Sequence, residues 1–223
     1  MQDETTPFRI AAVPGVTLTK WTRAWQERRA DAPLEVIRTT EQEQLRAVRD
    51  GSADVSFVRL PVEDDQLSVI PLYAEAPVVV VPKEHPIAVF DSVTLADLVD
   101  ERHLGGAAED AIELVAANVG VVIVPQSIAR LHNRKDVVAR PVTDAAETTI
   151  ALAWLTSNTT EGVEEFIGIV RGRTARSSRQ TPTPPSEKPA RAKQPKSAQQ
   201  SKARPTRTQD RVAANRRKQR GNR

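Results

Sequence analysis

The chain contains no cysteine. That excludes disulfides, thiolate nucleophiles and metals held by cysteine. It has only three histidines, His85, His103 and His132, and their separations do not match a metal-ligand pattern. No G-x-S-x-G, H-E-x-x-H or phosphate-binding glycine loop occurs. Without a nucleophile beside a base, the sequence points away from an enzyme, and no cofactor or metal is expected. Apolar runs fall far short of the roughly 20 residues that a membrane span needs. The first seven residues are polar and acidic, unlike a signal peptide. These absences lead to the expectation of a soluble, cytoplasmic protein with no membrane partner.

Charge is plentiful but unevenly placed. Residues 1–170 hold 15 Lys and Arg against 27 Asp and Glu, a net charge of −12. Residues 171–223 hold 17 against 2, a net charge of +15. The second piece has no aromatic residue and a single apolar one larger than alanine, Val212. Such a composition cannot bury enough surface to offset chain entropy, so 173–223 is expected to be a disordered basic tail. Its cations, ending in Arg216, Arg217, Lys218, Arg220 and Arg223, suit phosphate contacts without base reading. The remaining 170 residues or so suffice for one sizeable core or two small lobes.

The body reads as alternating strands and helices. Phe8 to Val13 is an apolar strand stopped by Pro14 and released by Gly15. Leu18, Trp21, Ala24 and Trp25 recur at helical spacing, with Thr17 as a candidate cap. That stripe is either core or a subunit interface. Leu34 to Ile37 is the next strand, and Thr40 with Glu43 forms a candidate capping box. The stretch Asp50-Gly51-Ser52-Ala53-Asp54-Val55 ends that helix and enters a buried strand. Strand, helix, strand, helix, strand implies a parallel βαβαβ unit. Further apolar strands end in proline at Val81-Pro82 and Val124-Pro125, as two earlier ones do at Pro14 and Pro61. In open α/β sheets ligands bind outside the carboxyl ends of strands, so these four prolines outline a candidate cleft.

Three phrases carry a resemblance. They are Asp50 to Asp54, Val78-Val79-Val80-Val81-Pro82 with His85-Pro86, and Glu113 to Pro125 with its helix, glycine, apolar strand and proline. Together they resemble the effector-binding domain of LysR-type transcriptional regulators. The resemblance implies the two-lobed α/β fold of type 2 periplasmic binding proteins over residues 7–172. Lobe one would be 7–76 with 153–172, and lobe two 77–152. It also implies a small effector, often a carboxylic acid, held between the lobes, and homodimerisation through the first helix. Two departures stand out. The first strand starts at Phe8, so the sequence reads as lacking the family's helix-turn-helix. The stretch from Glu101 to Ala108 is also short by about 25 to 30 residues, so a truncated second lobe is expected.

The candidate effector residues follow from the cleft. Gly15, Val16 and Thr17 sit at a helix N-terminus, an anion site by physics alone. Thr39 and Thr40 follow the second strand. Arg59 ends an apolar strand, where it would meet an effector carboxylate or pair with Asp64 or Asp65. Pro82, Gln126 and Ser127 would face them from lobe two. The expected role is an effector-binding domain without its own helix-turn-helix, acting in transcriptional regulation. The alternatives are a protein that binds DNA or RNA non-specifically through its tail, and an adaptor that pairs with full-length LysR-type regulators.

Overall fold

The computed structural model describes residues 6–172. The basic tail expected over 173–223 lies outside the described residues.

The βαβαβ unit forms as the sequence patterning implies. Strand β1 (Phe8–Ala12) is followed by helix α1 (Thr19–Arg28), strand β2 (Leu34–Arg38), the short helix α2 (Arg46–Arg49) and strand β3 (Val55–Arg59). β1 pairs in parallel with both β2 and β3. Strand β4 (Leu67–Glu75) then leads out of this lobe, and β8 (Thr148–Leu155) leads back. β8 runs antiparallel between β3 and β4. The first sheet therefore has the order β2-β1-β3-β8-β4.

Its central strands are apolar because both faces are covered. One face packs on α1 and on α5 (Glu161–Val170), where Trp25, Phe166, Phe57 and Ile10 are fully buried. Phe8 stacks on Trp25 with ring centroids 4.3 Å apart, and Trp21 stacks on Phe57 at 4.8 Å. The Trp21 and Trp25 stripe is thus core, which removes it as the dimer face. α5 is capped at its N-terminus, with the Thr160 hydroxyl accepting from Val163 N at 3.3 Å.

The motif at Asp50 is structural. Asp50 Oδ1 accepts from the Ser52 amide and hydroxyl, which holds its carboxyl below the usual carboxylate range. Asp54 accepts from Arg9 N at 2.7 Å, while Asp54 N donates to Arg9 O, so the entry to β3 is stitched to β1.

The second lobe holds β5 (Pro77–Pro82), β6 (Val122–Pro125) and β7 (Val137–Pro141) in the order β6-β5-β7, with both pairs antiparallel. One face carries α3 (Ala108–Ala116) and α4 (Gln126–Leu131), burying Ile112, Val115 and Ile128 against Val78 and Val124. The other is covered by the 3-10 turns Pro86–Val89 and Ala96–Leu98. α3 ends in a Schellman motif with Asn118, not Gly120, in the left-handed position at φ 59°. Gly120 has another reason to be glycine: a Cβ there would collide with the Arg102 carbonyl. The short stretch Glu101 to Ala107 forms no strand or helix of its own. It is tied to the second sheet by one bridge, His103 to Val121.

Candidate effector site

β1 and β2 are parallel, so the loops at their carboxyl ends lie side by side. These are Pro14 to Leu18 and Thr39 to Gln42. Facing them from the second lobe is α4, which begins immediately after β6. Ser127 on α4 lies so close to Gly15 that a Cβ on Gly15 would come within 2.5 Å of the serine hydroxyl. Gly15 also has φ 87°, so its glycine identity rests on both conformation and space.

Two adjoining cavities occupy this joint. The first, of about 700 Å³, is lined by Gly15, Val16, Thr17, Arg38, Thr39, Ser127 and Arg130, among others. The second, of about 440 Å³, is lined by Thr40, Glu41, Leu104, Glu109, Ile128 and His132, among others. Pro14 and Leu131 border both. Volumes of this order suit a small metabolite. A further depression of about 720 Å³ lies within the first lobe, between Glu41 to Asp50 and Pro61 to Glu63. Two of its cations are already neutralised, Arg46 by Glu43 at 3.0 Å and Arg49 by Asp64 at 2.6 Å.

Five of the expected residues meet in the first cavity: Gly15, Val16, Thr17, Thr39 and Ser127. Thr17 does not cap α1, which starts at Thr19 and has no side-chain cap. Its exposed side chain is left at the cavity wall. Thr39 N donates to Ala12 O, while its hydroxyl is buried with no partner among the described residues. A buried hydroxyl without a partner is costly, and a ligand oxygen would satisfy it. Thr40 lines the second cavity and accepts from Glu43 N at 3.2 Å, half of the expected capping box. The box heads a run of turns, and α2 itself is only one turn long.

Three expected residues are placed elsewhere. Arg59 is buried, 6% exposed, and lines neither cavity. Its Nε donates to Glu75 Oε2 at 2.9 Å, and its guanidinium also pairs with Glu41 and reaches Pro14 O at 3.3 Å. Neither Asp64 nor Asp65 is its partner: Asp64 binds Arg49, and the carboxylates on Arg59 are Glu75 and Glu41. A buried cation at a strand end needs a carboxylate, and the one that folding supplies comes from β4. Pro82 lies at the far end of the second sheet, because β5 runs antiparallel to β6 and Pro125 pairs with Pro77. The rule of strand carboxyl ends holds for parallel strands, so Pro82 cannot share a rim with Pro125. Gln126 starts α4 with its amide bonded to Ala76 O and lines another depression, beside Ala129 and Asn133.

Ser127 does more than line the wall. Its hydroxyl donates to Glu75, which also accepts from Arg59 and, at 3.5 Å, from Thr148. Glu75 therefore ties both inter-lobe strands, β3 and the second lobe into one buried polar cluster. Sequence reading missed Arg38, Arg130 and His132 as wall residues. Arg38 was within reach, since it immediately precedes Thr39 at a strand end. Arg130 and His132 were not, because only lobe packing turns α4 toward the first lobe.

Residues 2–109 match the sequence profile of the LysR substrate binding domain. The Hca operon transcriptional activator HcaR of Escherichia coli is 26% identical, over 66% of this chain and 60% of its own length. The HTH-type transcriptional regulator CatR of Pseudomonas putida is 28% identical over 48% of each. The chain spans about half the length of the curated relatives it matches. Among solved structures, the BenM effector binding domain with its effector benzoate is 21% identical with a TM-score of 0.66, covering 79% of this chain and 96% of that one. The reduced OxyR regulatory domain from Pseudomonas aeruginosa is 19% identical with a TM-score of 0.60, covering 80% and 99%. At these identities the likeness establishes the fold.

Proposed function

We propose that this chain, which carries a LysR substrate binding domain over residues 2–109 and has the fold of LysR effector-binding domains, senses a small organic acid in the joint between its lobes and serves transcriptional regulation. The observation that carries the reading is the first cavity. It gathers Thr17, Thr39 with its unpartnered hydroxyl, and Ser127 from two lobes at the carboxyl ends of parallel strands. The regulatory context comes from the family, which is one of effector-binding domains and not of enzymes. No cluster of three or more His, Cys, Asp or Glu able to hold a metal occurs among the described residues. No helix among them is long and apolar enough to cross a membrane.

A ligand that binds the native state and not the unfolded one raises the melting temperature by mass action. Thermal melting of the full chain against a panel of small carboxylates is expected to pick out at least one compound. At a hundredfold excess over Kd it should add about 2.7 kcal/mol. Thr39→Val should weaken that compound's binding with little change in the unliganded melting temperature. A flat panel counts against the reading.

A second activity is favoured by charge alone. The +15 of residues 171–223 belongs to a chain whose remainder carries −12, so this segment is proposed to contact nucleic acid phosphates without sequence preference. Affinity for duplex DNA is then expected to fall with salt, with a log–log slope of about −0.9 per phosphate contacted. Replacing Arg216, Arg217, Lys218, Arg220 and Arg223 by Gln should flatten that slope. A salt-independent affinity would remove the proposal and favour a solubilising role.

A further inference from the structure

The first cavity is electrostatically unlike the molecule around it. In a body with a net charge of −12, its walls contain two arginines and no carboxylate. Arg38 comes from the end of β2 in the first lobe, and Arg130 from α4 in the second. Neither forms an ion pair among the described residues. Most other arginines there do: Arg9, Arg23, Arg29, Arg46, Arg49, Arg59 and Arg134 each have a carboxylate partner. Glu75, whose carboxylate accepts from Ser127 of that wall, is already engaged by Arg59 as well.

The adjoining cavity has the opposite character. Glu109 stands on its wall, with Glu41, which already pairs with Arg59, beside the apolar Leu104 and Ile128. A ligand that extended a second anionic group into it would meet like charge. Both negative groups of a doubly charged ligand would therefore stay in the first cavity.

We infer that the ligand of this joint is a short dicarboxylate, with one carboxylate taken by Arg38 and the other by Arg130. The inference rests on the small-acid reading above and narrows its ligand class. A guanidinium offers a planar fork that receives one carboxylate bidentately, so two forks contributed by different lobes ask for two separate carboxylates and not one compact dianion. The Thr39 hydroxyl, buried and unpartnered, supplies one further donor. Because the arginines belong to different lobes, such a ligand crosslinks them, whereas a monocarboxylate satisfies only one. Binding energy then depends on both lobes at once.

The test is calorimetric titration of the full chain at fixed ionic strength with malonate, succinate, glutarate and adipate. Propionate, butyrate, valerate and hexanoate serve as singly charged counterparts, and glycerol 3-phosphate as a compact dianion. At least one diacid is expected to bind about tenfold or more tightly than its monoacid counterpart. Arg38→Gln and Arg130→Gln should each bring that ratio close to one while leaving the melting temperature of the free protein unchanged. Monoacids binding as well as diacids would overturn the two-arginine reading and leave the small-acid cleft intact. Preference for glycerol 3-phosphate would replace it with a single phosphate site. Retained discrimination in both variants would also overturn it. Failure of every compound to bind would take the small-acid reading down with it.

Discussion

Arg59→Ala is expected to destabilise the protein by about 3–5 kcal/mol, because it leaves the Glu75 carboxylate buried without its counter-ion. The two side chains are 6% and 4% exposed, so solvent cannot replace the lost partner. For a body of this size that corresponds to a fall in melting temperature on the order of 10 °C. The same substitution also removes the contact to Pro14 O, on which the cavity loop rests. The informative control is a double variant. Replacing a buried ion pair by apolar residues of similar volume is often neutral or stabilising, so Arg59→Met with Glu75→Leu should recover much of the stability lost by Arg59→Ala. Chemical denaturation of wild type, Arg59→Met, Glu75→Leu and the double variant closes the cycle. An Arg59→Ala protein that melts normally yet loses ligand binding would show the arginine to be a ligand anchor, and the assignment made here would fall.

Trp25→Ala should cost about as much, roughly 3–5 kcal/mol, through a different cause. The indole is 1% exposed, stacked on Phe8 and edge-on to Phe166 with centroids 6.0 Å apart. Its Nε1 donates to Ala32 O at 3.0 Å, which closes the turn between α1 and β2. Truncation removes this packing and leaves a cavity that the first sheet cannot collapse around. Trp25→Phe would keep most of the packing but orphan the carbonyl, at about 1–3 kcal/mol. Trp21 provides the contrast. Its ring is also buried against Phe57, but its Nε1 is buried with no partner among the described residues. Trp21→Phe removes an unsatisfied donor and is therefore expected to be close to neutral or slightly stabilising. Equal losses for the two Phe variants would show that the Ala32 bond contributes nothing. Folded, monomeric Trp→Glu variants at either position would contradict the core assignment altogether.

Much of the architecture was legible because it depends on short-range rules. Apolar runs closed by proline gave β1, β3, β5 and β6. Helical spacing gave α1, and the phrase from Glu113 to Pro125 marked the end of α3. The Asp50 to Asp54 phrase marked the entry into β3, because a left-handed glycine and the Asp50 carboxylate hold that turn locally. The same local rules placed Gly15, Val16, Thr17 and Thr39 at the carboxyl ends of β1 and β2, where the first cavity is found. They also placed the unequal charge of the two chain segments, since charge is a property of composition.

Other features depend on which segments meet, and no local pattern encodes that. Strand direction in the second lobe is one. β5 and β6 look alike in sequence, both apolar and both ending in proline, yet they run antiparallel, and Pro82 and Pro125 finish at opposite ends of the sheet. The partner of Arg59 is another: Asp64 and Asp65 are nearer in sequence, but the end of β4, paired with β8, brings Glu75 within reach of Arg59 and buries it there, where desolvation makes the pairing obligatory. The two tryptophans could have faced either solvent or core, and the docking of α5 across α1 decided for the core. Arg38 and Arg130 are separated by more than 90 positions in sequence, and neither alone signals a site. Only the packing of α4 against the loops of the first lobe brings them to one cavity and leaves both without a carboxylate. The sequence set the inventory of charges and the ends of the strands; the long-range pairing of β4 with β8 and the seating of α4 determined which charges are spent inside the fold and which face the cleft.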